Sequence, residues 1–267
     1  MKTKLLTFFA MSIALIAGEL QAQVVIYDNL SPTGGNAFFN SNTAGINEAR
    51  YLLGEDISTV TPINSTDSWR LDNVNFNMVS FGNGTSSETF TDVMVEVSLW
   101  GNITGTGTGG ALGDSLAASF GIAPLLGSET FSLGNITTGA AGQNTVESFA
   151  LNFTNNINIG SGQNIGITFE LFDSVTAPLM NRRSDRLAVA YRADTQATNS
   201  PVLGTTSDRN FRDRAGAVGR IDGTIDDFGF SSDAALRFSL EATAVPEPTS
   251  LAVLGFIGLG LCSRRRR

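Results

Sequence analysis

The chain has 267 residues, 25 acidic against 17 basic, one cysteine and no histidine, which is long enough to bury one sizeable core. Without histidine, and with its one cysteine at position 262, it cannot build Ser-His-Asp or Cys-His nucleophiles, nor zinc, copper or haem sites on His or Cys ligands. Carboxylate chemistry and oxygen-ligated calcium stay open, and the acidic balance speaks against nucleic acid as a partner.

Lys2 and Lys4 precede an apolar run from Leu5 to Ala17, and Ala22 offers a small residue for cleavage, so residues 1–22 read as a secretory signal peptide with a helical apolar stretch. No cysteine follows that run, so a lipoprotein anchor is not expected. The body, 23–244, then holds 11 arginines, 23 acids and no lysine, a net charge of −12.

Along the body, Val24 to Asn29 reads as a first strand, and Ser31 to Thr43, dense in Gly, Asn, Ser and Thr, as a long loop. Trp69 and Leu71, then Val74, Phe76 and Met78, alternate in two phases, as a bulged strand would. Val93, Val95, Val97 and Leu99 alternate cleanly. Phe149, Leu151 and Phe153 do the same, followed after the turn region Asn156 to Gln163 by Ile165, Ile167, Phe169 and Leu171. Leu187, Val189 and Tyr191 follow, and Leu236, Phe238 and Leu240 close the body. Period two throughout, with Gly-rich turns, predicts an all-β fold: one antiparallel β-sandwich, jelly-roll-like. The 18 phenylalanines suit a core between two sheets. Gly101-Asn102-Ile103-Thr104 recurs as Gly134-Asn135-Ile136-Thr137, which reads as reused turn chemistry rather than a solenoid period.

Three sets of side chains are candidates for chemistry. Arg182, Arg183, Arg186, Arg209, Arg212 and Arg214 lie in a stretch from Arg182 to Arg220 that carries eight arginines against four aspartates. Guanidinium groups pair bidentately with carboxylate or sulfate, so these would suit an acidic extracellular polysaccharide. The preferred alternative is that they pair with the body's own carboxylates. Asp222, Asp226 and Asp227, in Asp222-Gly223-Thr224-Ile225-Asp226-Asp227, would suit calcium, but the segment lacks the spacing and closing Glu of an EF-hand loop, and a plain acidic turn is the preferred reading. No other cofactor is expected. Glu96, Glu147 and Glu170 would serve a carboxylate-based glycoside hydrolase. Their alternation puts them on polar faces as solvated residues, and the expectation is a protein that is not an enzyme.

The end of the chain has its own pattern. Val245, Pro246, Glu247, Pro248, Thr249 and Ser250 precede an apolar run from Leu251 to Cys262, then Ser263 and Arg264, Arg265, Arg266 and Arg267. The prolines fit neither a helix interior nor a central strand, so they read as a stiff spacer. Twelve helical residues span about 18 Å, short of a bilayer core of about 30 Å, and Gly255, Gly258 and Gly260 weaken the segment further. With basic residues at both extremities held in the cytoplasm, the body is expected beyond the inner membrane, tethered for a time.

Residues 245–267 closely resemble the PEP-CTERM sorting signal of Gram-negative bacteria: a Pro-Glu-Pro box, a short membrane helix and a basic tail. The resemblance implies an exosortase as partner beside the export machinery, passage through the inner membrane, and cleavage followed by residence at the cell surface or outside it. The body resembles domains of the choice-of-anchor group, the R-type above all. The residues that carry this are Ile26-Tyr27-Asp28-Asn29-Leu30, Trp69-Arg70-Leu71-Asp72-Asn73-Val74 and Val95-Glu96-Val97-Ser98-Leu99-Trp100. It departs from them where Thr104 to Gly110 replaces the usual proline turn. That resemblance implies a displayed sandwich domain and brings no catalytic residues.

Overall fold

The computed structural model describes residues 22–30, 51–62, 67–81, 87, 89–103, 122–139, 144–173, 187–193, 203–214, 224–228 and 234–245. All but Ala22 of the expected signal peptide, the expected Ser31–Thr43 loop, Arg182, Arg183, Arg186, Asp222 and everything after Val245 lie outside these residues.

Every element among the described residues is a β-strand, and every pairing is antiparallel. The strands are β1 (Val24–Asp28), β2 (Tyr51–Ser58), β3 (Ser68–Phe81), β4 (Thr89–Gly101), β5 (Leu125–Thr137), β6 (Asn144–Asn152), β7 (Asn158–Ile159), β8 (Asn164–Asp173), β9 (Leu187–Val189), β10 (Tyr191–Ala193), β11 (Thr205–Arg214), β12 (Thr224–Phe228), β13 (Ala234–Leu236) and β14 (Phe238–Val245). One sheet has the order β1-β14-β3-β6, with β7 and β9 also on β3. The second runs β12-β11-β2-β8-β4-β5, and β10 pairs with β13.

The two large sheets share one apolar core in a sandwich-like arrangement. Leu71, Val74, Phe76, Phe238 and Leu240 come from the first sheet, and Val93, Val95, Val97, Ile167 and Phe169 from the second. Phe169 lies with its ring centre 5.4 Å from that of Phe76 and 5.7 Å from that of Phe238, so aromatic contact crosses the gap between sheets. Tyr27 stacks on Phe238 at 4.7 Å. Each such ring taken from water stabilises the fold by roughly 2–3 kcal/mol, which makes this cluster the centre of the core.

The two-phase pattern of β3 has a clear cause. Leu71 pairs with Ala242 and Asn73 with Glu241, which leaves Asp72 as an extra residue in the ladder. Its carboxylate accepts from the Thr243 hydroxyl at 2.5 Å and pairs with Arg70 at 3.1 Å. On the outer side of the same sheet Glu241 accepts from Gln23 at 2.8 Å and Asn75 at 3.0 Å, so amides and one carboxylate satisfy one another there.

The four-residue repeat does two different jobs. Asn102 takes a left-handed backbone, φ 55°, just past the end of β4, whereas in the second copy Gly134 does so, φ 77°, inside β5 where the pairing with β4 shifts register. What the copies share is the buried isoleucine: Ile103 is 2 % exposed and Ile136 1 %.

Candidate functional site

Glu147 is separated from the other two glutamates. Glu147 lies on β6, in the sheet formed by β1, β14, β3 and β6, opposite Met78 and in the phase of Phe149 and Leu151. It is half-buried near the start of its strand, on the core-facing side and not the polar one. Glu96 and Glu170 are brought together in the other sheet, directly opposite each other on β4 and β8. Cross-strand neighbours have Cβ atoms about 4.5–5.5 Å apart.

The expectation that Glu170 is solvated is wrong: it is 3 % exposed. The cause is that β8 lies inside its sheet, between β2 and β4, and its second face is buried as well as its core face. Beside Glu170 on that second face, Thr168 is 1 % and Ser98 8 % exposed. Trp100 stands opposite Gly166, where no side chain obstructs it, and its Nε1 donates to the Thr168 hydroxyl at 3.0 Å. Alternation separates two faces correctly; it does not say that the second one meets water. The described residues hold no group of three His, Cys, Asp or Glu side chains placed to bind a metal ion.

Sequence reasoning missed Glu55. It is 0 % exposed, on the core-facing phase of β2 with Ile57. The Tyr27 hydroxyl donates to Oε1 at 3.4 Å and the Leu236 backbone N–H donates to Oε2. One carboxylate thus joins β1, β2 and the end of β13. The signal was present as an acid at period two between Leu53 and Ile57. Next to it, Arg237 divides β13 from β14 and donates through Nη2 to the Leu30 carbonyl at 2.6 Å, and Asn29 Nδ2 donates to the Leu236 carbonyl at 2.8 Å. The apolar series Leu236, Phe238, Leu240 is therefore two strands joined at a polar stitch, with all three side chains buried.

Of the candidate arginines, Arg212 and Arg214 take alternate positions on β11, and Arg209 lies between Thr206 and Asn210, where the register shifts. Arg212 is opposite Asp226 of β12 on one side and Leu53 of β2 on the other. Asp226 and Asp227 are successive residues of one strand, hence in opposite phases. The stretch carrying Arg182, Arg183 and Arg186 joins Asp173 to Leu187, and both of these flanking residues are at the end of the sandwich away from Val245.

Of the terminal motif, Val245 is described. It is the last residue of β14, paired with Ser68, so Pro246 follows the ladder without an intervening residue. No family model, no curated protein and no solved structure matches this chain.

Proposed function

We propose that the chain is an exported, non-enzymatic surface protein. In this reading a jelly-roll-like sandwich is delivered by a helical signal peptide, held for a time in the inner membrane by a helix over Leu251–Cys262, and freed by an exosortase cutting near Pro246 to Pro248. The observation that carries it is the junction at Val245, where a central strand of the body passes at once into the Pro-Glu-Pro box, the apolar run and four arginines. A folded domain, a stiff spacer and a membrane segment too short for lasting residence are the parts that a tether-and-release route needs. The burial of Glu170 supports the non-enzymatic part, because the two acids that stand together are not both open to a substrate.

The test is the intact mass and fractionation of the native protein in hosts with and without the exosortase. A mature form lacking both ends, found outside the inner membrane and lost without the enzyme, is expected. An uncut chain retained in the inner membrane in both hosts overturns the reading.

Binding of an acidic exopolysaccharide through Arg209, Arg212 and Arg214 is the second reading, favoured by the concentration of arginine on and around β11. The position of Arg212 beside Asp226 favours internal pairing instead. Replacing all three by Gln separates the two, since retention on an anionic polysaccharide resin falls only if they bind it.

A further inference from the structure

The first and last strands of the body meet at one end. Val24, at the start of β1, pairs with Ala242 of β14, and Val245 follows three residues on. Neighbouring strands are about 4.8 Å apart, so Val24 and Val245 lie close together there. The other sheet brings its own strand ends to this place. Val60 donates its N–H to the Ile26 carbonyl and accepts from Trp69 Nε1, Ser58 pairs with Asn164, and Gly101 donates to the Pro124 carbonyl beside Leu125.

Two properties mark this end. Among the described residues the exposed large apolar side chains are Val24, Val25, Ile122, Leu125, Val146 and Leu203; the first four lie here, with Ile122 84 % and Leu125 52 % exposed. Its described residues also carry little free charge in a body of net −12. Residues 57–62, 67–71, 101–103, 122–125 and 157–165 hold one base, Arg70, and one acid, Asp67, which is 3 % exposed; of the acids on the adjoining strands, Asp72 is paired with Arg70, and Glu241, opposite Val25, accepts from Gln23 and Asn75. Acidic groups such as Asp92 and Asp173 are at the opposite end. An acidic protein approaches an anionic lipid surface at least cost by the face that carries least of that charge, and exposed aliphatic side chains gain by entering the interfacial layer.

We propose that this end of the sandwich is a lipid-docking face, resting on the phospholipid surface of the inner membrane while the tail is held there. The inference depends on the tethering described above. Five residues, Pro246 to Ser250, separate Val245 from the apolar run, a reach of at most about 18 Å. The tether therefore keeps Leu125 and Ile122 close to the lipid and turns a weak surface affinity into an intramolecular contact. Cutting the tail removes that advantage, and the face lets go.

The test uses the full chain in vesicles of phosphatidylethanolamine and phosphatidylglycerol, with nitroxides on the lipid acyl chains. Cys262→Ser is combined with Leu125→Cys, or with Val146→Cys at the other end of the sandwich, each labelled with a fluorophore. Quenching of the label at Leu125 and none at Val146 is expected; Ile122→Cys gives a second site on the same face. Vesicles that float with the protein but quench both labels equally, or neither, overturn the docking face and leave the tether standing. A chain that does not float with the vesicles overturns both.

Discussion

Glu129 of β5 and Thr154, two residues beyond β6, are joined twice across the edge of the sandwich. Glu129 Oε2 accepts from the Thr154 amide at 2.9 Å and Oε1 from its hydroxyl at 2.6 Å, and the Asn155 amide adds a third bond at 3.0 Å. Beside them Phe131 and Phe153 meet edge to face at 5.0 Å. Because β5 and β6 belong to different sheets, this carboxylate fastens one sheet to the turn that leaves the other.

Partial burial pulls the Glu129 pKa up, but the Thr154 hydroxyl and the Asn155 and Thr154 amides outweigh it and bring it below the usual carboxylate value of 4.5. A depressed folded-state pKa contributes stability that is fully present above the unfolded value and is lost as pH falls through the folded one. Acid titration of stability should therefore show a loss beginning near pH 4.5 that Glu129→Gln diminishes. At neutral pH Glu129→Ala should cost about 1–2 kcal/mol in denaturant unfolding, since three donors lose their acceptor to water.

Glu55→Ala should be the more damaging acid substitution, by roughly 2–4 kcal/mol, because it strands the buried Leu236 N–H and opens a space beside Tyr27. Glu55→Gln keeps one acceptor oxygen and should recover part of the loss. Tyr27→Phe removes one long hydrogen bond of 3.4 Å and leaves the stack on Phe238, so a loss under about 1 kcal/mol is expected. Equal losses for Glu55→Ala and Tyr27→Phe would show that the carboxylate is not the joint between these strands.

Two glycines with the same backbone should respond differently to alanine. Gly134 and Gly204 both have φ 77°, which costs a residue with a side chain about 1–2 kcal/mol. A Cβ on Gly134 meets open space, whereas on Gly204 it would stand 2.6 Å from the Ser58 carbonyl oxygen and 2.8 Å from Tyr27 Cδ2. Gly204→Ala should lose the same strain term plus roughly 1–3 kcal/mol for overpacking, measured as a lower denaturant midpoint.

The readable parts of this fold are those where one rule acts alone. The valines of β4 and the isoleucines of β8 alternate without interruption, and even the bulge in β3 shows, because inserting Asp72 shifts the apolar phase by one residue. β2 was not legible, although it lies inside its sheet between β11 and β8: Gly54, Glu55 and Asp56 break its apolar pattern, and Glu55 faces the core through bonds to distant Tyr27 and Leu236. β5 was hidden by Gly127 and Gly134. The first of these is required by the close approach of Ile157, whose Cγ1 would lie 2.8 Å from an added Cβ. Burial of Glu170 was out of reach for the same reason, as local alternation carries no information about what covers a second face. In the candidate site, the pairing of Glu96 with Glu170 depends on register between strands more than sixty residues apart, which local alternation does not carry.

β14 lies between β1 and β3, so the first and last strands of the body are neighbours: Gln23 and Glu241, 218 positions apart, are hydrogen-bonded. Among the described strands β1 pairs with β14, beside an isolated bridge from Asp28 to Leu203, and such a ring of contacts closes late because its loop entropy must be met first. A chain synthesised from its N-terminus thus holds an unfinished sheet until its last residues appear. Delay of that kind leaves β1 and β3 apart while the other large sheet assembles, and sets completion of the first sheet at the moment β14 becomes available to lie between them.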